Sequence, residues 1–163
     1  MEPAVIHETL KARFGDDILA FNGEVIDPFI KVAPAALDRV AAFLSDEPAL
    51  AFDALMCLSG VDHGPGQNLG VVYHLHSMTQ HHTITLKVEV PRDAPHVPTV
   101  EHVWKTANWH EREAYDMVGV IFDGHSDLRR ILCPDDWEGY PLRKDYHTQE
   151  YYMVGGKPVR VPV

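Results

Sequence analysis

Residues 83–90 read Thr-Ile-Thr-Leu-Lys-Val-Glu-Val. Successive side chains of a strand point to opposite faces. Ile84, Leu86, Val88 and Val90 therefore share one face, and Thr83, Thr85, Lys87 and Glu89 share the other. An apolar face opposed by a polar one predicts a half-buried strand. Working outward, Leu69 to Met78 and Phe52 to Leu58 are candidate strands flanking a loop, Gly60 to Asn68, whose glycines and proline mark turns. Ile18 to Val32 predicts strands turning at Asn22-Gly23. Ile6, Leu10 and Phe14, four apart, predict a short helix that Gly15 can end. Pro34 followed by Leu37, Val40, Ala41 and Leu44 predicts a second, amphipathic helix. Pro91, Pro95 and Pro98 punctuate a loop before a helical stretch from Thr99 to Val118. That stretch breaks near Asn108, which with Glu111 makes a capping box. Gly119 can end it, and Val120-Ile121-Phe122 reads as a short extended segment.

Helices beside hairpin-linked strands predict an α+β fold. The expected architecture is a two-layer domain over 1–133, with a mixed or antiparallel sheet and helices on one face. Beyond Cys133, Pro134, Pro141, Pro158 and Pro162 with Gly155-Gly156 leave no room for a long regular element. Residues 134–163 are expected to form an extended C-terminal arm that docks on a partner subunit.

Composition narrows the function. The chain has 163 residues, 45% of them hydrophobic, enough for one domain with a real core. No apolar run approaches the roughly 18 residues of a spanning helix, and the N-terminus lacks a basic region followed by an apolar one. Net charge is -10 with no basic patch in either half, so nucleic acid and anionic membrane surfaces are unsuited as direct partners. Two distant cysteines, Cys57 and Cys133, fit a reducing compartment. They fall short of the four thiolates that normally hold an iron–sulfur cluster.

The densest chemistry lies in Glu111 to Tyr146, where both signs of charge alternate among Tyr115, Phe122, Trp137, Tyr140 and Tyr146. Mixed charge beside aromatic anchors suits a partly desolvated protein interface. Glu111 and Glu113, two apart on a helix, point in different directions and make no catalytic pair; a cap for the first and an ion pair for the second are expected. Arg112, Arg129, Arg130 and Arg143 suit bidentate pairing with Asp116, Asp127, Asp135, Asp136 and Asp145. Trp104 and Trp109 are expected in the core and Trp137 as an interface anchor. Cys133 follows two arginines, which could lower a thiol pKa, but Leu132 and Pro134 favour a structural thiol. No dinucleotide-binding or phosphate-binding glycine motif is present. His74, His76, His81 and His82 could hold a metal in a free-standing enzyme, though a half-solvated strand face explains them as well.

Glu111-Arg112-Glu113, Asp116 and Met117-Val118 are followed, after a six-residue gap, by His125, and then by Arg129, Ile131 and Leu132. This pattern resembles the signature of the thirty-kilodalton (C) subunit family of respiratory NADH:quinone oxidoreductase (complex I). Asp135 to Gly139 and Pro141 to Tyr146 are similar to the same family. Ser126, Tyr140 and His147 depart from it, standing where the family usually has Pro, His and Pro. The resemblance implies a non-catalytic structural subunit of the peripheral arm, set against the quinone-site subunit. It would be held at the cytoplasmic face of the inner membrane through its partners, without inserting. Flavin, iron–sulfur clusters and quinone are then expected in partner subunits and none in this chain. The residues implied as interface or loop-fixing groups are Glu111, Arg112, Glu113, Asp116, His125, Asp127, Arg129, Arg130, Asp136, Trp137, Arg143, Lys144 and Asp145. An equivalent subunit of a membrane-bound hydrogenase or deazaflavin-linked dehydrogenase is the alternative.

Overall fold

The computed structural model describes residues 1–148, 150–154 and 156–160. Helix α1 (Pro3–Phe14) leads into β1 (Ile18–Asn22), β2 (Phe29–Val32), α2 (Leu37–Asp46), β3 (Ala54–Asp62), β4 (Leu69–Ser77) and β5 (His82–Val90). The five strands make one mixed sheet in the order β1-β2-β5-β4-β3, in which β2 and β5 run parallel and all other pairs antiparallel. The alternation of 83–90 appears as predicted. Ile84, Leu86 and Val88 pair with Leu75, Tyr73 and Val71 on the face that carries the helices. On that side Ile6, Leu10, Leu37, Val40 and Leu44 lose all contact with water, each contributing about 1.5–3 kcal/mol of burial. The opposite face is polar, with a Lys31–Glu89 ion pair and Lys87 lying over the Phe29 ring.

Two features of the middle of the chain differ from expectation. The loop punctuated by prolines contains a strand, β6 (His96–Pro98), parallel to β7 (Ile121–Asp123). Three residues that follow Pro95 and end in Pro98 are too few to show an alternation, and proline is tolerated at strand ends. Helix α3 runs from Ala107 to Val118 with Thr106 at its N-cap position. Asn108 therefore lies inside the helix and forms no capping box, because a turn at Val100–Trp104 already leads into it (Trp104 N–H to Val100 O, 3.0 Å). Trp104 is a core residue whose Nε1 donates to Phe52 O (2.8 Å). Trp109 is not; it is 64% exposed on the outer face of α3. Beyond residue 124 the chain crosses α3 as irregular turns and ends in a hairpin, β8 (Tyr151–Val154) and β9 (Lys157–Arg160).

Candidate functional site

Helix α3 divides its side chains among three surroundings. Glu111, Ala114 and Val118 face the core, Arg112 and Asp116 lie under the segment 124–133, and Trp109 and Glu113 face outward, with Met117 half-buried at the edge of the core.

Asp116 organises the covering segment. Its Oδ2 accepts the backbone N–H groups of Ile131 (3.0 Å), Leu132 (2.7 Å) and Cys133 (2.9 Å), and Oδ1 pairs with Arg130 at 2.6 Å. Burial opposes its charge, yet those three N–H groups and the guanidinium hold the carboxyl below the usual carboxylate range. Arg130 also donates to the carbonyls of Asp116 (3.1 Å) and Gly139 (2.9 Å), so one cation ties the helix to two turns of the covering strap, residues 124–146. Beside it, burial and the nearby Asp116 raise the Cys133 pKa and keep the thiol protonated, as befits a structural cysteine. Arg112, also buried, finds no carboxylate among the described residues. It donates to the carbonyls of Arg129 (3.3 Å) and Arg130 (3.5 Å) and stacks over Trp109.

A second cluster pins the corner at 125–127. The His125 side chain has no exposed surface. Its Nδ1 accepts the Asp127 N–H (2.9 Å), which leaves the proton on Nε2, 3.1 Å from Asn108 O. Glu101 accepts Ser126 N–H (2.7 Å) and Oγ (3.1 Å) and the Asn108 amide (2.5 Å). Glu111, fully buried, accepts Thr99 Oγ1 (2.5 Å) and Val100 N–H (2.8 Å) and lies 3.9 Å from His125 Nε2. Burial, opposed by those two hydrogen bonds, pushes its pKa up to about 7.

The third clasp closes the strap. Asp62 at the end of β3 accepts the N–H of Gly64 (2.8 Å) and of Lys144 (2.8 Å) and pairs with Arg92, which also reaches Asp145 (3.3 Å). Arg143 donates to Val118 O (2.7 Å) and stacks on Tyr140, while Leu142 N–H bonds to Met117 O (2.9 Å).

Of the four arginines expected to pair with carboxylates, Arg130 and Arg129 do so, the latter with Asp127 on the surface (2.9 Å). Arg112 and Arg143 use carbonyls and aromatic rings instead. Asp136 and the Lys144 side chain point to solvent, and Trp137 is half-buried. The reading of the sequence missed Asp62, Arg92, Thr99 and Glu101. Their partners lie at distant positions that only the sheet and the β6–β7 pairing bring close. The four histidines do not converge. His82 faces the helix side, 2.7 Å from Leu50 O, whereas His74 and His76 pair with Thr85 and Thr83 on the opposite face. No group of three potential metal ligands gathers among the described residues. The arrangement fixes a surface in place: its buried charges are spent on one another and on backbone groups.

The sequence pattern of the family described as respiratory-chain NADH dehydrogenase, 30 Kd subunit, matches residues 30–152, which takes in α3 and all three clasps. The chain belongs to that family. The NADH-quinone oxidoreductase C subunit of Chloroherpeton thalassium is 48% identical over 148 residues, covering 90% of this chain and 61% of that one. Its counterpart in Chlorobium phaeobacteroides is also 48% identical, over 90% of this chain and 89% of its own. That of Mycolicibacterium paratuberculosis is 45% identical over 80% of this chain and 54% of its own. The chain thus spans about three-fifths of the first relative's length and nearly all of the second's. Among solved structures, the trypsin-resistant fragment of Nqo5 superposes with a TM-score of 0.62 at 24% identity, over 78% of this chain and 100% of the fragment. A chain of the membrane-bound sulfane sulfur reductase, an archaeal respiratory membrane complex, gives 0.74 at 20% identity, over 90% and 86%. The 30-kDa-subunit fold is the one described above, and no helix among its described residues is long and apolar enough to cross a membrane.

Proposed function

We propose that this chain is a non-catalytic structural subunit in the peripheral arm of a proton-translocating NADH:quinone oxidoreductase. It would hold the electron-transfer and quinone-site subunits in register at the cytoplasmic face of the membrane. The observation that carries this reading is the direction of the charges. Asp116, Arg130, Glu101 and Asp62 are turned inward to set the course of residues 124–146. Large apolar groups along the same surface, Trp109, Leu132 and Leu142, are more than half exposed. A rigid strap with apolar groups outward is what a docking surface requires. Residues 134–163 then serve as the arm that engages the quinone-site subunit. Electron transfer weakens steeply with distance, so fixing the spacing of neighbouring redox subunits is function enough for a chain of this kind. Flavin, clusters and quinone belong, on this reading, to those neighbours.

The likeness of fold to a chain of a sulfane sulfur reductase complex supports a second reading, the same scaffold in a membrane complex with a different electron-input module. One experiment separates the two. The tagged chain is recovered from gently solubilised membranes, its companions are identified by mass spectrometry, and the eluate is assayed for NADH:quinone activity. Companion redox subunits with activity, and none from the chain alone, are expected. A hydrogenase-type input module would select the second reading, and a chain recovered alone would sink both.

A further inference from the structure

The outward face of α3 borders a cleft that the strap leaves open. Trp109, Glu113 and Met117 succeed one another at four-residue intervals and so stand in line along the helix. Next to them runs β3, the end strand of the sheet. The space between helix and strand has a volume of about 160 Å³ and is lined by Leu58, Gly60, Glu113, Met117, Val118 and Leu142, with Ser59 and Ala114. Gly60 sets how closely the helix sits: a Cβ there would meet Val118 Cγ2 at 3.1 Å and Ala114 Cβ at 3.3 Å. The floor is therefore firmly backed, and its lining sets the apolar side chains of Leu58, Met117, Val118 and Leu142 beside polar atoms. Cavities of roughly 150 Å³ accept a benzene ring, so this one has room for a single apolar side chain.

The charge at its lip is unanswered. Of the three carboxylates on α3, Glu111 and Asp116 are fully buried and bonded from within. Glu113 is exposed, makes no ion pair or hydrogen bond among the described residues, and is the sole charged side chain lining the cleft. The guanidinium groups that α3 and the strap could offer are engaged elsewhere: Arg112 with carbonyls and Trp109, Arg129 with Asp127, Arg130 with Asp116, Arg143 with Val118 O. A slot one side chain wide with a lone anion at its edge complements a segment carrying an apolar residue close to a cation.

We propose that the α3–β3 cleft is the docking site for a segment of another subunit that inserts one apolar side chain beside Leu58, Met117 and Leu142 and sets a lysine or arginine against Glu113. The inference rests on the scaffold reading above and adds the chemistry of the partner. It is tested in the assembled complex. A photo-cross-linking amino acid in place of the exposed Leu142 is expected to join one neighbouring subunit, within a helical turn of a basic residue. Glu113→Lys should lower the amount of this chain retained in the complex at least about tenfold, and Glu113→Gln only a few-fold. Both isolated variants should melt as the wild type does. Reversing the cross-linked partner's cation should restore retention of Glu113→Lys. Full retention of Glu113→Lys, or adducts confined to segments without a basic residue, would overturn the cleft assignment while leaving the scaffold reading intact. A wild-type chain that carries no companion subunits would overturn both.

Discussion

Glu111 and Asp116 lie on one helix, both fully buried, and the surroundings move their protons in opposite directions. Asp116 gathers four donors, so its carboxyl sits below its ordinary value. Glu111 gathers two in a drier place, and its carboxyl rises to about 7. The signs follow. Asp116 contributes stability that is present above the ordinary aspartate value and lost as pH falls through its depressed one. Glu111 takes up a proton on folding at any pH between its ordinary value of 4.5 and about 7, so stability falls as pH rises across that window, by about 3 kcal/mol in all. Glutamine reproduces the protonated form, its amide donating to Thr99 Oγ1 and its carbonyl accepting from Val100. Urea unfolding at pH 5, 6, 7 and 8 should show wild type losing stability relative to Glu111→Gln as pH rises. Parallel pH profiles would mean that Glu111 is charged in the fold. The motif made these carboxylates visible in the sequence but not their roles. Asn108 lies three residues before Glu111 and made a cap the obvious reading; the true partner, Thr99, is placed by a strand pair that leaves no periodic trace.

At the scale of elements, legibility followed burial on one side only. β5 and α2 each set an apolar face against a polar one; β5 was read to within one residue of its observed limits, and the four apolar positions read for α2 all lie buried on it. β6 has three residues, preceded by Pro95 and the last of them Pro98, and could not be read. The strap has no period at all, since its shape comes from the carboxylates beneath it. Its fixed point at the end of α3 is Gly119, whose φ of 81° is left-handed and whose missing Cβ would stand 2.5 Å from the Tyr140 ring and 2.7 Å from Arg143 Nη2. Gly119→Ala should therefore cost about 1–3 kcal/mol and push the Tyr140–Arg143 stack off the helix end. The effect is local: the Leu142 amide, bonded to Met117 O, should exchange faster, and trypsin should cut after Arg143. Gly15→Ala is the control, with φ of 56° and nothing within 4 Å. It should show the backbone cost while leaving Leu142 protected. Equal protection of Leu142 in both variants would show that Gly119 does not govern the strap.

For the whole molecule, the described contacts gather in the body and thin out beyond Asp145. The sheet and three helices share one continuous apolar core, and the strap is tied to it as far as Asp145, through Lys144 N–H to Asp62 and Arg92 to Asp145. Beyond that point β8 and β9 pair with each other and, among the described residues, with no other strand. Lys157 to Arg160 are exposed throughout. A lone two-stranded hairpin is at best marginally stable in water, and on the proposed function a partner subunit's surface would support it. Removing everything after Thr148 keeps all three clasps. It should move the melting temperature of the isolated chain by less than about 2 °C. The same truncation should sharply reduce recovery of the chain with companion subunits, because the proposed arm would be gone. A drop of many degrees would mean that the hairpin packs on the body and stabilises it directly. Unchanged recovery would confine docking to the strap and the α3–β3 cleft. The two measurements together locate where the domain ends and its interface begins.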